Sequence, residues 1–180
     1  MATGTERTWK PLGGADAGHL RWVRVRLWRA RYELRGGDDI FASLQWGLPL
    51  TGRTRAGRWT LAPTGGFRRD VEIAWLGSSL PDAVYESGRK VNGSIVFADG
   101  QTYFWTVSRW RANATWTMPD GTTVLRFRGP TVTVATQTIR PAHLSVLVLL
   151  AQYLNATRAA GRVGIVLEIL GGWLTNFHGT

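Results

Sequence analysis

Arginine is the residue through which this chain could do the most chemistry. Twenty of its 22 cations are arginine, they face 12 carboxylates, and the formal net charge is +10. A guanidinium meets a phosphate through two parallel hydrogen bonds, so an arginine cluster is a candidate reader of phosphate groups. Residues 19–35 hold six arginines and one glutamate, a local +5. Taking Val23, Val25 and Leu27 as the inward side of a strand puts Trp22, Arg24, Arg26 and Trp28 on one outward face. Arg29, Arg31 and Arg35 extend it beyond a corner expected near Trp28–Arg29, where the inward parity changes. These seven residues are the candidate site for anionic ligands, with membrane lipid headgroups as the favoured partner and nucleic acid disfavoured. The tryptophans suit either a membrane interface or base stacking. The same face also reads as a solvated outer surface that keeps a basic protein soluble. Arg109 and Arg111 around Trp110, with Arg126 and Arg128, are further cations that could enlarge it.

Catalysis finds little support. The 180 residues contain no cysteine, which removes thiolate nucleophiles, disulfides and zinc–thiolate sites. Only three histidines are present, His19, His143 and His178, and each reads as a chance placement. Asp38, Asp39, Asp99 and Asp120 sit in turns or beside glycine, where bonds to local backbone account for them. Glu33, Asp70, Glu72 and Glu86 fall on strands among arginines and read as solvated ion pairs. The glycine pairs at 13–14, 36–37, 65–66 and 171–172 match no phosphate-loop pattern. No cofactor, metal or enzymatic activity is expected.

These residues need a scaffold, and the pattern supplies one. From about 20 to 138 the period is two, with turn residues every 8–12 positions, as in a single all-β barrel or sandwich. Asp99-Gly100 and Pro119-Asp120-Gly121 mark hairpins. Thr51–Gly57 reads as a turn, Arg58–Ala62 as a short strand, and Trp75 and Trp105 as interior residues. Then the period changes. Pro141 suits a first helical position, and 141–157 reads as a helix. Its large apolar residues cover almost the whole circumference, leaving only Ser145, Gln152 and Asn155 as a polar stripe. A helix packed on the outside of a sheet would show a broad polar face. Enclosure on every side is the physical solution, and a many-stranded barrel has an interior to fill. The expected fold is a closed antiparallel β-barrel of about 11–12 strands around a central C-terminal hydrophobic helix.

The ends read differently. Residues 1–18 form a polar, glycine-rich, flexible lead without an apolar signal-like core. The barrel with its helix spans 19–158. The remainder, 159–180, is an apolar tail whose Val163, Val166, Leu167, Leu170, Trp173, Leu174 and Phe177 recur at helical spacing. It is expected to pack on the barrel or on a partner. The longest apolar run, Leu144–Leu154, is about half the 20 residues a membrane span needs. No transmembrane segment is expected, and the chain reads as cytoplasmic, peripheral at the membrane if it binds lipid.

A barrel followed by an apolar helix resembles the tubby C-terminal-like superfamily, which includes tubby proteins, phospholipid scramblases and plant LURP-one-related proteins. Carrying the resemblance are Arg31-Tyr32-Glu33-Leu34-Arg35 leading into Asp39–Trp46, Gly57-Arg58-Trp59-Thr60-Leu61 and Gly65-Gly66-Phe67. Ser94–Phe97, Asp99-Gly100, Tyr103-Phe104-Trp105 and the run Leu144–Leu154 complete it. The resemblance implies a closed barrel around a hydrophobic helix and a non-enzymatic, lipid-facing role. The chain lacks a scramblase-type cysteine cluster, an acidic calcium-binding stretch and a Pro-rich arm, so scrambling itself is not implied. Two alternatives stand beside this reading: a hollow lipocalin-like barrel carrying a small apolar ligand, and an oligonucleotide-binding barrel.

Overall fold

The computed structural model describes residues 9–13, 19–26, 30–64, 70–88, 92–108, 113–135 and 139–163. Twelve strands follow in chain order: β1 (Leu20–Arg26), β2 (Arg31–Gly36), β3 (Asp39–Gln45), β4 (Leu50–Thr54), β5 (Gly57–Thr64) and β6 (Asp70–Trp75) form one half. The other half is β7 (Ala83–Ser87), β8 (Gly93–Phe97), β9 (Thr102–Val107), β10 (Asn113–Thr117), β11 (Thr123–Arg128) and β12 (Thr131–Val134), and α1 (Pro141–Val163) follows. Each strand pairs antiparallel with its sequence neighbours, and β1 closes onto β12. Closure leaves no free strand edge.

Alternation explains most of the wall. Val71 and Ile73, Ile95 and Phe97, Tyr103 and Trp105, and Ala114 and Trp116 point inward and are buried. The stretch read as a turn at Thr51–Gly57 is largely strand, because Gly52 and Thr54 face inward and only Arg55-Ala56 turns the chain. Gly52 is inward for a reason of space. A Cβ there would lie 2.5 Å from Leu149 Cδ1, so the helix approaches β4 too closely for any side chain.

The helix fills the barrel. All twelve residues from His143 to Leu154 are buried. Contacts reach α1 from several walls: Trp116 Nε1 of β10 donates to the Leu147 carbonyl at 3.1 Å, and Thr54 Oγ1 of β4 donates to Ser145 Oγ at 2.9 Å. Trp46, just after β3, stacks on Tyr153 with centroids 5.5 Å apart. At roughly 1.5–3 kcal/mol per large side chain buried, this segment is a major source of stability. An occupied interior removes the hollow-barrel alternative.

Up-and-down order sorts the connections by end. The turns after β2, β4, β6, β8 and β10 share the end where α1 begins, here the entry end. The connections after β1, β3, β5, β7, β9 and β11 share the opposite, exit end. Within the stretch read as a flexible lead, residues 9–13 are docked near the entry end: Lys10 N donates to the Ile40 carbonyl at 3.0 Å, and Leu12 is buried in the core. The tail from residue 164 onward lies outside the described residues.

Candidate anion-binding surfaces

The ribbon expected to carry the site is built otherwise. Trp22 is 5% exposed and points into the core, whereas Val23 is 36% exposed, so the parity of β1 is the reverse of the expected one. Both alternations of this stretch are apolar enough to face a core. Leu20 and the larger Trp22, opposite the buried Leu34, take the inside. The register shift lies between Arg24 and Arg26, slightly before the expected corner. Arg24 is exposed; Arg26 pairs with Arg31 in the ladder, and its side chain, like Trp28 and Arg29, lies outside the described residues.

Arg31 and Arg35 do reach the outer face, but both turn toward Glu33. Arg35 Nη2 and Nε stand 2.6 and 3.0 Å from Glu33 Oε2, and Arg31 Nη2 stands 3.2 Å from Oε1. Glu33 is only 2% exposed beneath them, so the expected solvated pair is a covered one. Two guanidiniums held on one buried carboxylate are anchored groups, with one of their two charges offset. Trp22 therefore does not share an outward face with Arg24, Arg31 and Arg35.

In sequence, cations and carboxylates divide between the two sets of strand connections instead. The five entry-end turns (37–38, 55–56, 76–82, 98–101 and 118–122) hold Asp38, Asp82, Asp99 and Asp120 against the single cation Arg55. The six exit-end connections (27–30, 46–49, 65–69, 88–92, 108–112 and 129–130) hold Arg29, Arg68, Arg69, Arg89, Lys90, Arg109 and Arg111, with no carboxylate. Those seven cations lie outside the described residues; the described strands fix only the end at which each connection leaves and returns. Arg128 closes β11 at this end and is exposed, and Leu48 is 77% exposed. Sorting the connections by odd and even order would have revealed this segregation from sequence.

The entry end holds what histidine counting missed. His143, in the first turn of α1, is buried; its Nδ1 lies 3.2 Å from the Tyr103 hydroxyl and its Nε2 lies 3.2 Å from Asp99 Oδ2. The same Oδ2 takes Arg140 Nη1 at 2.6 Å, while Asp99 Oδ1 accepts the Gln101 amide at 3.1 Å. The Phe97 ring stacks on the imidazole at 3.9 Å. Burial pushes the His143 pKa down against the opposing pull of Asp99, and burial pushes the Tyr103 pKa up. The Gln101 amide leads in holding the Asp99 carboxyl below its ordinary range. No sequence signal joins these groups, because 40 residues separate Tyr103 from His143.

Trp75 also departs from the interior reading. It has inward parity, but β6 ends there, and the ring lies 45% exposed against Trp59 and over Gly57. With Leu76 and Leu80, at 42% and 74%, it makes an apolar part of the entry rim. Among the described residues no cluster of His, Cys, Asp or Glu could hold a metal ion, and no helix is long and apolar enough to cross a membrane. A shallow depression of about 280 Å³ between Leu12, Ala56 and Pro141 presents Arg55 as its only cation. Among known proteins, no family model, no curated protein and no solved structure matches the chain.

Proposed function

We propose that this chain is a non-enzymatic, tubby-like barrel that binds anionic phosphate groups, phospholipid headgroups foremost, through its exit end. The observation that carries the reading is the segregation of seven cations to connections tethered at one end, with no carboxylate among them. Strands of four to eight residues rise about 3.3 Å per residue and tilt about 40° to the axis of a barrel, so the ends stand roughly 10–20 Å apart, beyond the Debye length of about 8 Å at physiological salt. The acidic turns therefore do little to weaken the basic end. Near an anionic leaflet each Lys or Arg contributes about 1 kcal/mol, enough for peripheral attachment from several together.

Apolar residues accompany the charge. The exit-end connections also contain Trp28, Phe67 and Trp110, and Leu48, in the connection after β3, stands exposed. Aromatic residues among cations suit the headgroup layer of a membrane. On this reading the protein attaches peripherally to the cytoplasmic face of a membrane. The resemblance to tubby-like barrels agrees with that role.

Co-sedimentation tests the reading. Vesicles of phosphatidylcholine alone and of phosphatidylcholine with phosphatidylserine should differ, with the protein pelleting on the second and released as salt rises. No preference for the anionic vesicles at low salt overturns it. Titration of the tryptophan fluorescence with single-stranded DNA is the companion experiment. Saturable DNA binding at salt concentrations that release the protein from vesicles would favour the oligonucleotide-binding barrel instead.

A further inference from the structure

We propose that His143, held between Asp99 and Tyr103, is a proton-sensitive latch for the start of α1. The bond pattern dictates a tautomer. An ionised carboxylate only accepts, so Nε2 facing Asp99 must carry the hydrogen. A neutral imidazole then presents Nδ1 as an acceptor, and the Tyr103 hydroxyl donates to it. Every polar hydrogen in this buried chain has a partner in that state.

A second proton undoes the arrangement. It sits on Nδ1 and must point at the Tyr103 oxygen, which turns from donor into acceptor. The phenol hydrogen then loses its acceptor in a site where Tyr103 is 2% exposed. Leaving a buried donor unpaired is costly, so the strain falls on the bond that fastens the helix.

Among the described residues the charged groups around His143 are few. Asp99 comes from the β8–β9 turn, Tyr103 from β9 and Arg140 from the residue before α1, while β8 contributes only the Phe97 ring. Across the helix, Thr54 and Ser145 are joined by a neutral hydrogen bond, and Arg55 lines the depression beside Pro141. Asp99 attracts the proton and Arg140 repels it, while desolvation opposes the imidazolium most strongly. The folded value lies below the unfolded value near 6.5, so the unfolded chain binds the proton first. Stability is therefore complete above about pH 6.5 and falls below it, by up to roughly tenfold in the folding equilibrium per pH unit. Asp99, whose pKa is also depressed, loses its contribution only at still lower pH, within and below the carboxyl range.

Nuclear magnetic resonance on the full chain tests the latch directly. A long-range proton–nitrogen correlation should show the His143 ring protonated on Nε2 and bare on Nδ1 at pH 7.5. Between pH 7.5 and 5.5, amide exchange in residues 142–147, corrected for its intrinsic rate, should rise as the pH falls below 6.5, by at most about tenfold per pH unit. A His143→Gln variant, neutral throughout, should lose that pH dependence. Should the variant not fold, the wild-type tautomer and titration still decide. A ring protonated on Nδ1 at pH 7.5, or a His143 titrating at or above 6.5 with unchanged exchange, overturns the proposal.

Discussion

At the entry end of the barrel, carboxylates are spent on building turns. Asp82 accepts the backbone amide of Trp75, Asp99 that of Gln101 and Asp120 that of Thr122. At the exit end the surplus is cationic, and arginine offers no comparable service to a turn, since it has no acceptor with which to cap an amide. These three carboxylates therefore have a sufficient explanation in the fold, whereas the exit-end connection cations lie outside the described residues. Charge that the fold does not use is where a partner should be sought. Residues such as Arg31 and Arg35, which hold Glu33, fail that criterion despite sitting in the most arginine-dense stretch.

The largest test breaks the comparison outright. Replacing Arg68, Arg69, Arg109 and Arg111 together by Glu removes four of the seven exit-end connection cations. At about 1 kcal/mol for each cation near an anionic surface, the loss is at least about 4 kcal/mol, roughly a thousandfold in vesicle affinity. Replacing Arg55 by Glu at the entry end should leave affinity within about twofold, because the Debye length is shorter than the barrel. Equal losses from both would show that net charge alone, without an address, governs binding.

Next comes a change that should affect both ends alike. Gly52→Ala forces a methyl against Leu149 in the core, an overpacking expected to cost about 1–3 kcal/mol in chemical denaturation. Vesicle affinity measured well below the melting temperature should hold. A loss of affinity without loss of fold would show that the helix couples to the exit end. A smaller effect is expected from Leu48→Ser, which removes an exposed apolar side chain from the exit end. It should weaken vesicle binding up to about tenfold, near 1.4 kcal/mol, and leave stability unchanged.

What the sequence made legible follows from redundancy. Many strands repeat the same alternation, so one irregular strand does not hide a barrel, and an apolar surface running round α1 has no arrangement other than enclosure. The position of a single side chain has no such redundancy. Leu20, Trp22, Val23 and Val25 place apolar groups on both parities of β1, and packing against Leu34 decides which go inside. Trp75 keeps its parity and is exposed because its strand stops at the rim. The latch around His143 exists only once β8, β9 and α1 have been brought together. The two ends were different again: odd and even connections were open to counting, but only after the chain had been read as one closed, up-and-down barrel.

The mildest prediction asks whether the entry-end carboxylates serve the turns alone. Asp120 accepts the Thr122 amide at 2.8 Å, and this bond leads in holding its carboxyl below the ordinary range. A depressed folded pKa means that the ionised group stabilises the fold above the unfolded value and that the contribution is lost as pH falls through the folded one. Asp120→Ala should therefore lower the melting temperature slightly at pH 7, the smallest shift in this set. The difference from wild type should shrink as the pH falls below the ordinary carboxyl range and the wild-type carboxyl becomes protonated. Vesicle affinity should not move, since the lost charge lies a full barrel length from the cations that bind. A marked gain in affinity would mean that the acidic end restrains the basic one across the barrel, and the two ends would then have to be treated as a single electrostatic unit.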